Sequence, residues 1–249
     1  MTRVASNKLI IALDVDTRKK ALNLVDTLGE VAGVFKIGSQ LFTAAGPDIV
    51  REVIAKGACV FLDLKFHDIP ATVAAAGVEA ARLGVSIFNI HACGGREMMR
   101  RTAASVSECA ARENLPRPNV IAVTVLTSVD AVELAQIGVP SSPEDETILL
   151  AKLAAESGMD GVVASPQDIT RVRQVVTKPN FLIVTPGVRP SAGNPNDQKR
   201  TMTPAQAVRA GADYIVVGRP ILAAPDPFEA AKDILRAMAN ALTAEAESA

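Results

Sequence analysis

The strongest constraint on the fold is a repeated alternation of two residue patterns along the chain. Short runs of aliphatic and β-branched residues, which favour buried parallel strands, are separated by segments with apolar residues at helical spacing. The strand-like runs are Leu9–Leu13, Gly33–Ile37, Cys59–Leu62, Val85–Ile90, Val120–Val125, Gly161–Ala164, Phe181–Val184 and Tyr214–Val217. The helical segments are Lys19–Leu28, Ile49–Lys56, Ala71–Leu83, Glu97–Glu113, Thr147–Glu156, Ala205–Ala210 and a closing Phe228–Leu242. This strict alternation predicts a closed parallel (β/α)8 barrel, the TIM barrel, because an open doubly wound sheet usually has fewer strands.

The 249 residues are predicted to form one domain, because α/β barrels commonly reach this length as a single unit. The stretch from Arg189 to Pro204 is rich in Pro, Gly, Asn and Asp and carries Gln198. Strand and helix patterns flank it on both sides, so we interpret it as a mobile loop that closes on an anion rather than as a linker. The alternative is an ordinary solvated loop, although such long loops are uncommon in compact domains unless they are functional.

Composition excludes several classes of partner. Acidic and basic residues nearly balance, with a formal net charge of −1, and aromatic residues make up only 3% of the chain. A nucleic-acid partner would require a basic surface and stacking aromatics, so neither nucleic acid nor a membrane is expected. Cys59, Cys93 and Cys109 are odd in number and lack metal-ligand or CxxC spacing. They predict reduced cysteines and, with a polar start that does not resemble a signal peptide, a cytoplasmic location.

The residues at or just after the ends of the strand-like runs are mostly polar or glycine, which predicts a site at one end of the barrel. In TIM barrels the active site lies at the carboxyl ends of the strands. The residues at these positions are Asp14, Lys36, Asp63, Lys65, His91, Thr127, Ser128, Ser165, Pro186, Gly187, Arg189, Gly218 and Arg219.

The densest cluster of charge is the segment from Asp63 through Lys65 to Asp68. Residues two apart on a strand point to the same face, so Asp63 and Lys65 are expected to interact, with Lys36 joining them from the adjacent strand. At near-contact distance each opposite pair contributes about 4 kcal/mol at an effective dielectric constant of about 20. A purely structural layer of ion pairs is the alternative. The position at the barrel mouth favours a functional array, because buried ion pairs are weak stabilisers.

A phosphate site is predicted where the last strand-like run ends, at Gly218 and Arg219. Free backbone N–H groups of a turn and a guanidinium can together hold a phosphate dianion. A tight-turn glycine beside a solvated arginine is the alternative, but barrels often bind phosphate after the eighth strand.

A metal site is not expected. His67 and His91 lack the spacing of a metal-ligand pair, and Lys65 supplies positive charge where a cation would lie. His91, at a strand end, is predicted to be a hydrogen-bonded supporting residue, with direct contact to a ligand as the less favoured alternative.

The segment from Asp63 to Pro70, completed by Thr72, resembles the DxKxxDIPxT signature of orotidine 5′-monophosphate decarboxylases. The resemblance extends over nearly the whole chain. Further segments in the family's order are Ala12-Leu-Asp14, Phe35-Lys-Ile-Gly38, Leu126-Thr-Ser128, Thr185-Pro-Gly-Val-Arg189, Asp197-Gln198 and Val217-Gly-Arg-Pro-Ile221.

The resemblance implies a cofactor-free enzyme that converts orotidine 5′-monophosphate to UMP and carbon dioxide in pyrimidine synthesis. It implies that Lys65 donates a proton to C6 of the pyrimidine, that Asp63 and Asp68 flank Lys65, and that Lys36 ties the array to the ribose. The implied substrate contacts are Asp14, Lys36, Asp63, Ile69, Thr72, Thr127, Ser128, Pro186, Arg189, Gln198, Gly218 and Arg219. It also implies a homodimer in which Asp68 and Thr72 reach the neighbouring subunit's site.

Two other functions share parts of this pattern. The magnesium-dependent hexulose-phosphate synthase and ketogulonate-phosphate decarboxylase branch shares the DxKxxD core, but it has a metal-binding glutamate where this chain has Lys36, which would repel the ion. A non-catalytic phosphate-binding barrel would be expected to have lost Asp63, Lys65 or Asp68, and all three are present.

Overall fold

A computed structural model describes residues 8–189 and 201–246, with backbone only for 244–246. Eight parallel strands pair in chain order and close into a barrel, with β8 pairing with β1. The strands are β1 Leu9–Ala12, β2 Val34–Gly38, β3 Cys59–Phe66, β4 Ile87–His91, β5 Asn119–Val123, β6 Gly161–Val163, β7 Leu182–Thr185 and β8 Tyr214–Val217. The predicted (β/α)8 barrel is confirmed, and every predicted strand overlaps an observed one.

The helices pack around this barrel. They are α1 Arg18–Leu28, α2 Ser39–Ala45, α3 Asp48–Ala55, α4 Pro70–Arg82, α5 Gly95–Glu113, α6 Ala131–Gln136, α7 Pro143–Glu156, α8 Ile169–Val175, α9 Pro204–Arg209, α10 Arg219–Leu222 and α11 Pro227–Ala246. Sequence periodicity did not predict α2, α6, α8 and α10, which are all short and contain few apolar repeats, although it did predict the similarly short α9. No helix in the described ranges is long and apolar enough to cross a membrane.

The interior of the barrel is packed below the carboxyl ends of its strands. A small cluster of inward-facing side chains fills it, and a larger cluster lies between the strands and the helices. The buried members of the inner cluster are Ile10, Ala12, Phe61, Ile87, Ile121, Val184 and Val216. Because these side chains fill the lower barrel, a ligand can enter only above them, at the carboxyl ends of the strands.

Strand β3 is longer than predicted and carries an irregularity. In its pairing with β4, Leu62 lies opposite Phe88 and the next paired residue is Phe66, opposite Ile90, so the register shifts between these two pairs. Three residues of β3 therefore lie opposite one residue of β4, Asn89. Within this bulge Lys65 has a φ of +52°, in the left-handed region that residues with a side chain rarely adopt.

The described ends of the segment predicted to be a phosphate-binding loop lie side by side. Val188 pairs with Met202, and the N–H of Arg189 donates to the carbonyl of Met202 at 3.0 Å. Helix α9 then begins with a capping box between Thr203 and Gln206. Residues 190–200, and with them the predicted ligand contact Gln198, lie outside the described residues.

Candidate active site

A cavity of about 540 Å³ lies at the carboxyl ends of the strands. Inner-barrel side chains such as Ala12, Phe61 and Val216 are part of its lining. The structure brings together at this cavity most of the residues that the sequence singled out. They are Asp14, Lys36, Asp63, Lys65, Thr127, Ser128, Pro186, Arg189, Gly218 and Arg219.

Four of these side chains form a continuous chain of alternating charge. The Lys36 ammonium lies 3.1 Å from Asp14 Oδ1 and 3.4 Å from Asp63 Oδ2. The Lys65 ammonium donates to Asp63 Oδ1 at 2.6 Å. The side chains of Lys36 and Asp63 are only 11% and 12% exposed, whereas that of Lys65 is 35% exposed. The array therefore runs from a buried centre at Lys36 and Asp63 to a lysine that can reach a ligand in the cavity.

The sequence reasoning missed Asn89, which supports this array from β4. Asn89 is 1% exposed, and its Nδ2 donates to Asp63 Oδ1 at 2.7 Å. Its Oδ1 accepts the backbone N–H of Lys65 at 2.8 Å. The available signal was an amide within an otherwise apolar strand, where a buried polar group needs a partner.

The surroundings of Asp63 keep its carboxylate ionised. Burial alone would raise the pKa of Asp63, but the charges of Lys36 and Lys65, with hydrogen bonds from Lys65 and Asn89, hold that pKa below its ordinary value. A fixed negative charge therefore lies beside the Lys65 ammonium at neutral pH.

The turn after β8 passes very close to the end of β1. A Cβ atom at Gly218 would lie 3.1 Å from Asp14 Oδ2 and 3.3 Å from Ala12 Cβ, so a side chain at this position would crowd β1. Arg219 begins α10, and Arg189 follows β7 on the same rim of the cavity. Two guanidinium groups and a glycine turn thus lie on the side of the mouth formed by β7 and β8.

A family model described as orotidine 5′-phosphate decarboxylase / HUMPS family matches residues 7–234. The chain belongs to this family. It is 52% identical to the orotidine 5′-phosphate decarboxylase of Moorella thermoacetica over 92% of this chain and 91% of that protein. It is 53% identical to the enzyme of that name from Geobacter sulfurreducens over 94% and 98% of the two chains. The crystal structure of orotidine 5′-phosphate decarboxylase from Lactobacillus acidophilus is similar, with a TM-score of 0.81, 33% identity and 93% and 99% coverage.

Three residues of the decarboxylase-family signature lie away from the array. Asp68 is exposed, its Oδ1 accepts the N–H of Ile69 at 2.6 Å, and it forms no ion pair with another described residue. Ile69 is 66% exposed, and Thr72 is exposed in the first turn of α4. Within one chain, therefore, Asp63 flanks Lys65 and Asp68 does not. The chain leaves the barrel after Phe66 and turns into α4, which carries Asp68 out of the line of the strand.

His91, which precedes the turn after β4, contacts a second histidine rather than lining the described cavity. Its ring centroid lies 5.5 Å from that of His67. Burial, and then electrostatic repulsion from the neighbouring His67 and Lys65, lower the pKa of His91, so the ring is neutral at neutral pH. A neutral, half-buried ring is better suited to a supporting role in the barrel than to the role of a proton donor.

Proposed function

We propose that Lys65 is the proton donor in the decarboxylation of orotidine 5′-monophosphate to UMP, the reaction that this chain catalyses. The observation that carries the proposal is the array of Asp14, Lys36, Asp63 and Lys65 at the cavity. Breaking the bond from C6 to the carboxylate leaves an electron pair in the plane of the pyrimidine, where no π system accepts it. A fixed ammonium stabilises this carbanion and then transfers a proton to C6 as carbon dioxide departs.

Asp63 and the buried end of the array have complementary roles in this proposal. An ionised Asp63 orients the Lys65 ammonium through their 2.6 Å contact. It also places negative charge near the substrate carboxylate, which favours loss of that group. Lys36 and Asp14, linked at 3.1 Å, supply donors and acceptors for the ribose hydroxyls. Thr127, Ser128 and Pro186 lie on the cavity wall, where they are proposed to contact the pyrimidine and its surroundings.

The 5′-phosphate is proposed to bind at the turn after β8, between Arg219 and Arg189, with Gly218 allowing the close approach. The loop 189–204, whose ends meet at the pairing of Val188 with Met202, is proposed to close over it and to contribute Gln198. Binding energy from the phosphate can then be used to close the loop and exclude water from the charged array.

The Arg219→Ala variant should bind UMP about tenfold to a hundredfold more weakly and bind uridine as the wild type does. A hydrogen bond to a charged group contributes about 1.5–3 kcal/mol, which corresponds to this range of affinity. Titration calorimetry with both ligands measures the difference. Arg96→Ala, which removes a surface partner of Glu156 2.7 Å away, is the matched control. An equal loss of affinity for UMP and for uridine would show that Arg219 does not contact the phosphate.

The exposed surface around Asp68, Ile69 and Thr72 is proposed to pack against a second copy of the chain. This arrangement accounts for a largely exposed isoleucine between two polar signature residues, and it would bring Asp68 into the partner's cavity.

We further propose a cytoplasmic location, which is supported by cysteines that are all free.

Decarboxylation without added metal is the experiment that tests the function. The absorbance of orotidine 5′-monophosphate should fall at an undiminished rate when the purified protein is assayed in excess chelator. The Lys36 ammonium lies within 3.4 Å of both Asp14 and Asp63, so it supplies the positive charge between these carboxylates. Activity that disappears in chelator and returns with Mg²⁺ would instead favour the magnesium-dependent branch of the family.

A further inference from the structure

The bulge in β3 leaves a gap in the backbone ladder of the barrel. Asp63, Leu64 and Lys65 lie between the pairs Leu62–Phe88 and Phe66–Ile90, and only Asn89 lies opposite them. Because three residues face one, the backbone of β4 cannot continue the ladder across this interval. The side chain of Asn89 takes its place, since Asn89 Oδ1 accepts the N–H of Lys65 at 2.8 Å.

The backbone of Lys65 needs such a contact. Its φ of +52° is in the left-handed region, which residues with a Cβ atom occupy only where the surrounding structure holds them. The bulge turns the backbone between Asp63 and Lys65, while the two side chains still meet at 2.6 Å. The hydrogen bond to Asn89 holds the backbone at the point where this conformation occurs.

The side-chain amide of Asn89 also holds Asp63, the ion-pair partner of Lys65. Asn89 Nδ2 donates at 2.7 Å to Asp63 Oδ1, and this oxygen also accepts from the Lys65 ammonium. One buried side chain therefore fixes Lys65 twice, directly through its backbone N–H and indirectly through the carboxylate that orients its ammonium. Asn89 is 1% exposed and is not part of the described cavity lining, so it acts without touching the substrate.

We infer that Asn89 is a positioning residue for proton transfer, which holds the Lys65 ammonium and the Asp63 carboxylate in register with C6 of the substrate. This inference rests on the proposed role of Lys65 as proton donor. An asparagine meets the requirement because it offers one acceptor and one donor from the same short branch. An ionised aspartate lacks the donor, and glutamine is one methylene longer.

The test compares Asn89→Ala and Asn89→Asp with Thr124→Val. The control residue Thr124, which directly follows β5, is also buried, and its hydroxyl donates to the Val163 carbonyl of β6 at 2.8 Å rather than to a member of the array. We expect Asn89→Ala to lower kcat by about a hundredfold or more, while the Kd for UMP stays within about threefold of wild type. Thr124→Val should leave kcat per folded site unchanged.

The pH profile distinguishes positioning from a general loss of structure. The groups that face Asp63 are Lys36 from β2, Lys65 from β3, and Asn89 and His91 from β4. Loss of the Asn89 donor should move the acid limb of kcat to higher pH, because a carboxylate with fewer donors protonates more readily. In Asn89→Asp the new carboxylate repels Asp63 at neutral pH, but once protonated it can again donate to that residue. The activity of this variant relative to wild type should therefore rise as the pH falls.

Each outcome separates this inference from the proposed function. An Asn89→Ala protein with kcat within threefold of wild type, or with kcat and UMP affinity lost together, would overturn the positioning role. If Asn89→Ala does not fold, the nearly isosteric Asn89→Asp decides, and a pH profile parallel to wild type would refute the inference. Lys65→Ala is assayed alongside. An active Lys65→Ala protein would refute the proton-donor proposal. If Lys65→Ala is inactive but the pH profile of Asn89→Asp is parallel to that of wild type, only the positioning role is refuted.

Discussion

Replacing Lys65 with alanine should lower the rate of decarboxylation by at least about four orders of magnitude. A general acid contributes a factor of about 10² to 10⁴, and a preorganised charge at the site of developing charge contributes about 10² to 10³. Lys65 would supply both effects, since its ammonium is held 2.6 Å from Asp63 at the cavity. The measurement is the turnover rate at saturating orotidine 5′-monophosphate.

The Lys65→Ala protein should nevertheless fold and bind UMP. Asp63 would still be paired with Lys36 at 3.4 Å and would still accept a hydrogen bond from Asn89, so no buried carboxylate is left without a partner. Thermal unfolding and UMP titration check these points. Lys20→Ala, which removes an exposed ion pair with Asp16, is the control for loss of a lysine. Turnover within tenfold of wild type would show that another group supplies the proton.

Mixing two inactive variants, Lys65→Ala and Asp68→Ala, should restore activity. If Asp68 acts in the partner's site, one site of each mixed dimer carries both lesions and the other keeps both residues intact. Random pairing yields mixed dimers in about half of the population, so about a quarter of the wild-type activity should return. The exposed position of Asp68, outside the array of its own chain, is the structural reason for this expectation.

A second mixture provides the matched control. Asp63 and Lys65 contact each other within one chain, so each site in a mixed dimer of Lys65→Ala and Asp63→Ala chains keeps one lesion and the mixture should stay inactive. The chains are unfolded and refolded together, because a stable dimer exchanges subunits slowly, and two affinity tags verify the mixed species. If both mixtures stay inactive, Asp68 does not act in the partner's site. If both recover, the recovery does not report on a shared site.

The sequence predicted the architecture well because burial of a parallel sheet on both faces leaves a local signal. Tyr214–Val217, for example, is an uninterrupted apolar run and forms β8 over the same residues. The bulge in β3 could not be predicted, because it depends on the register in which Phe66 pairs with the next strand, β4. Regular strand geometry gave the expectation that Asp63 and Lys65 meet. They do meet, but through a left-handed turn of the backbone.

The candidate site was predictable where function coincides with strand ends and not where it depends on tertiary contacts. Asp14, Lys36, Asp63 and Lys65 lie at or near the carboxyl ends of the predicted strand-like runs, so position alone selected them. Asp68 was grouped with them by extending the line of the strand, whereas the chain turns away after Phe66. Asn89 was missed because an amide within an apolar strand does not reveal its partners until the strands are paired.

The close approach of Gly218 to Asp14 links the proposed binding of the ligand to closure of the barrel. These residues are about two hundred positions apart in the chain, and they meet only when β8 pairs with β1. A chain whose eighth strand has not docked can contain the charges of β1 to β3 but lacks the turn that would hold the phosphate. A nucleotide that contacts both strands, as proposed, would therefore bind the closed barrel and not the open chain. At a hundred times its Kd such a nucleotide would add about 2.7 kcal/mol to the stability of that closure, so the product of the reaction would also stabilise the barrel that forms it.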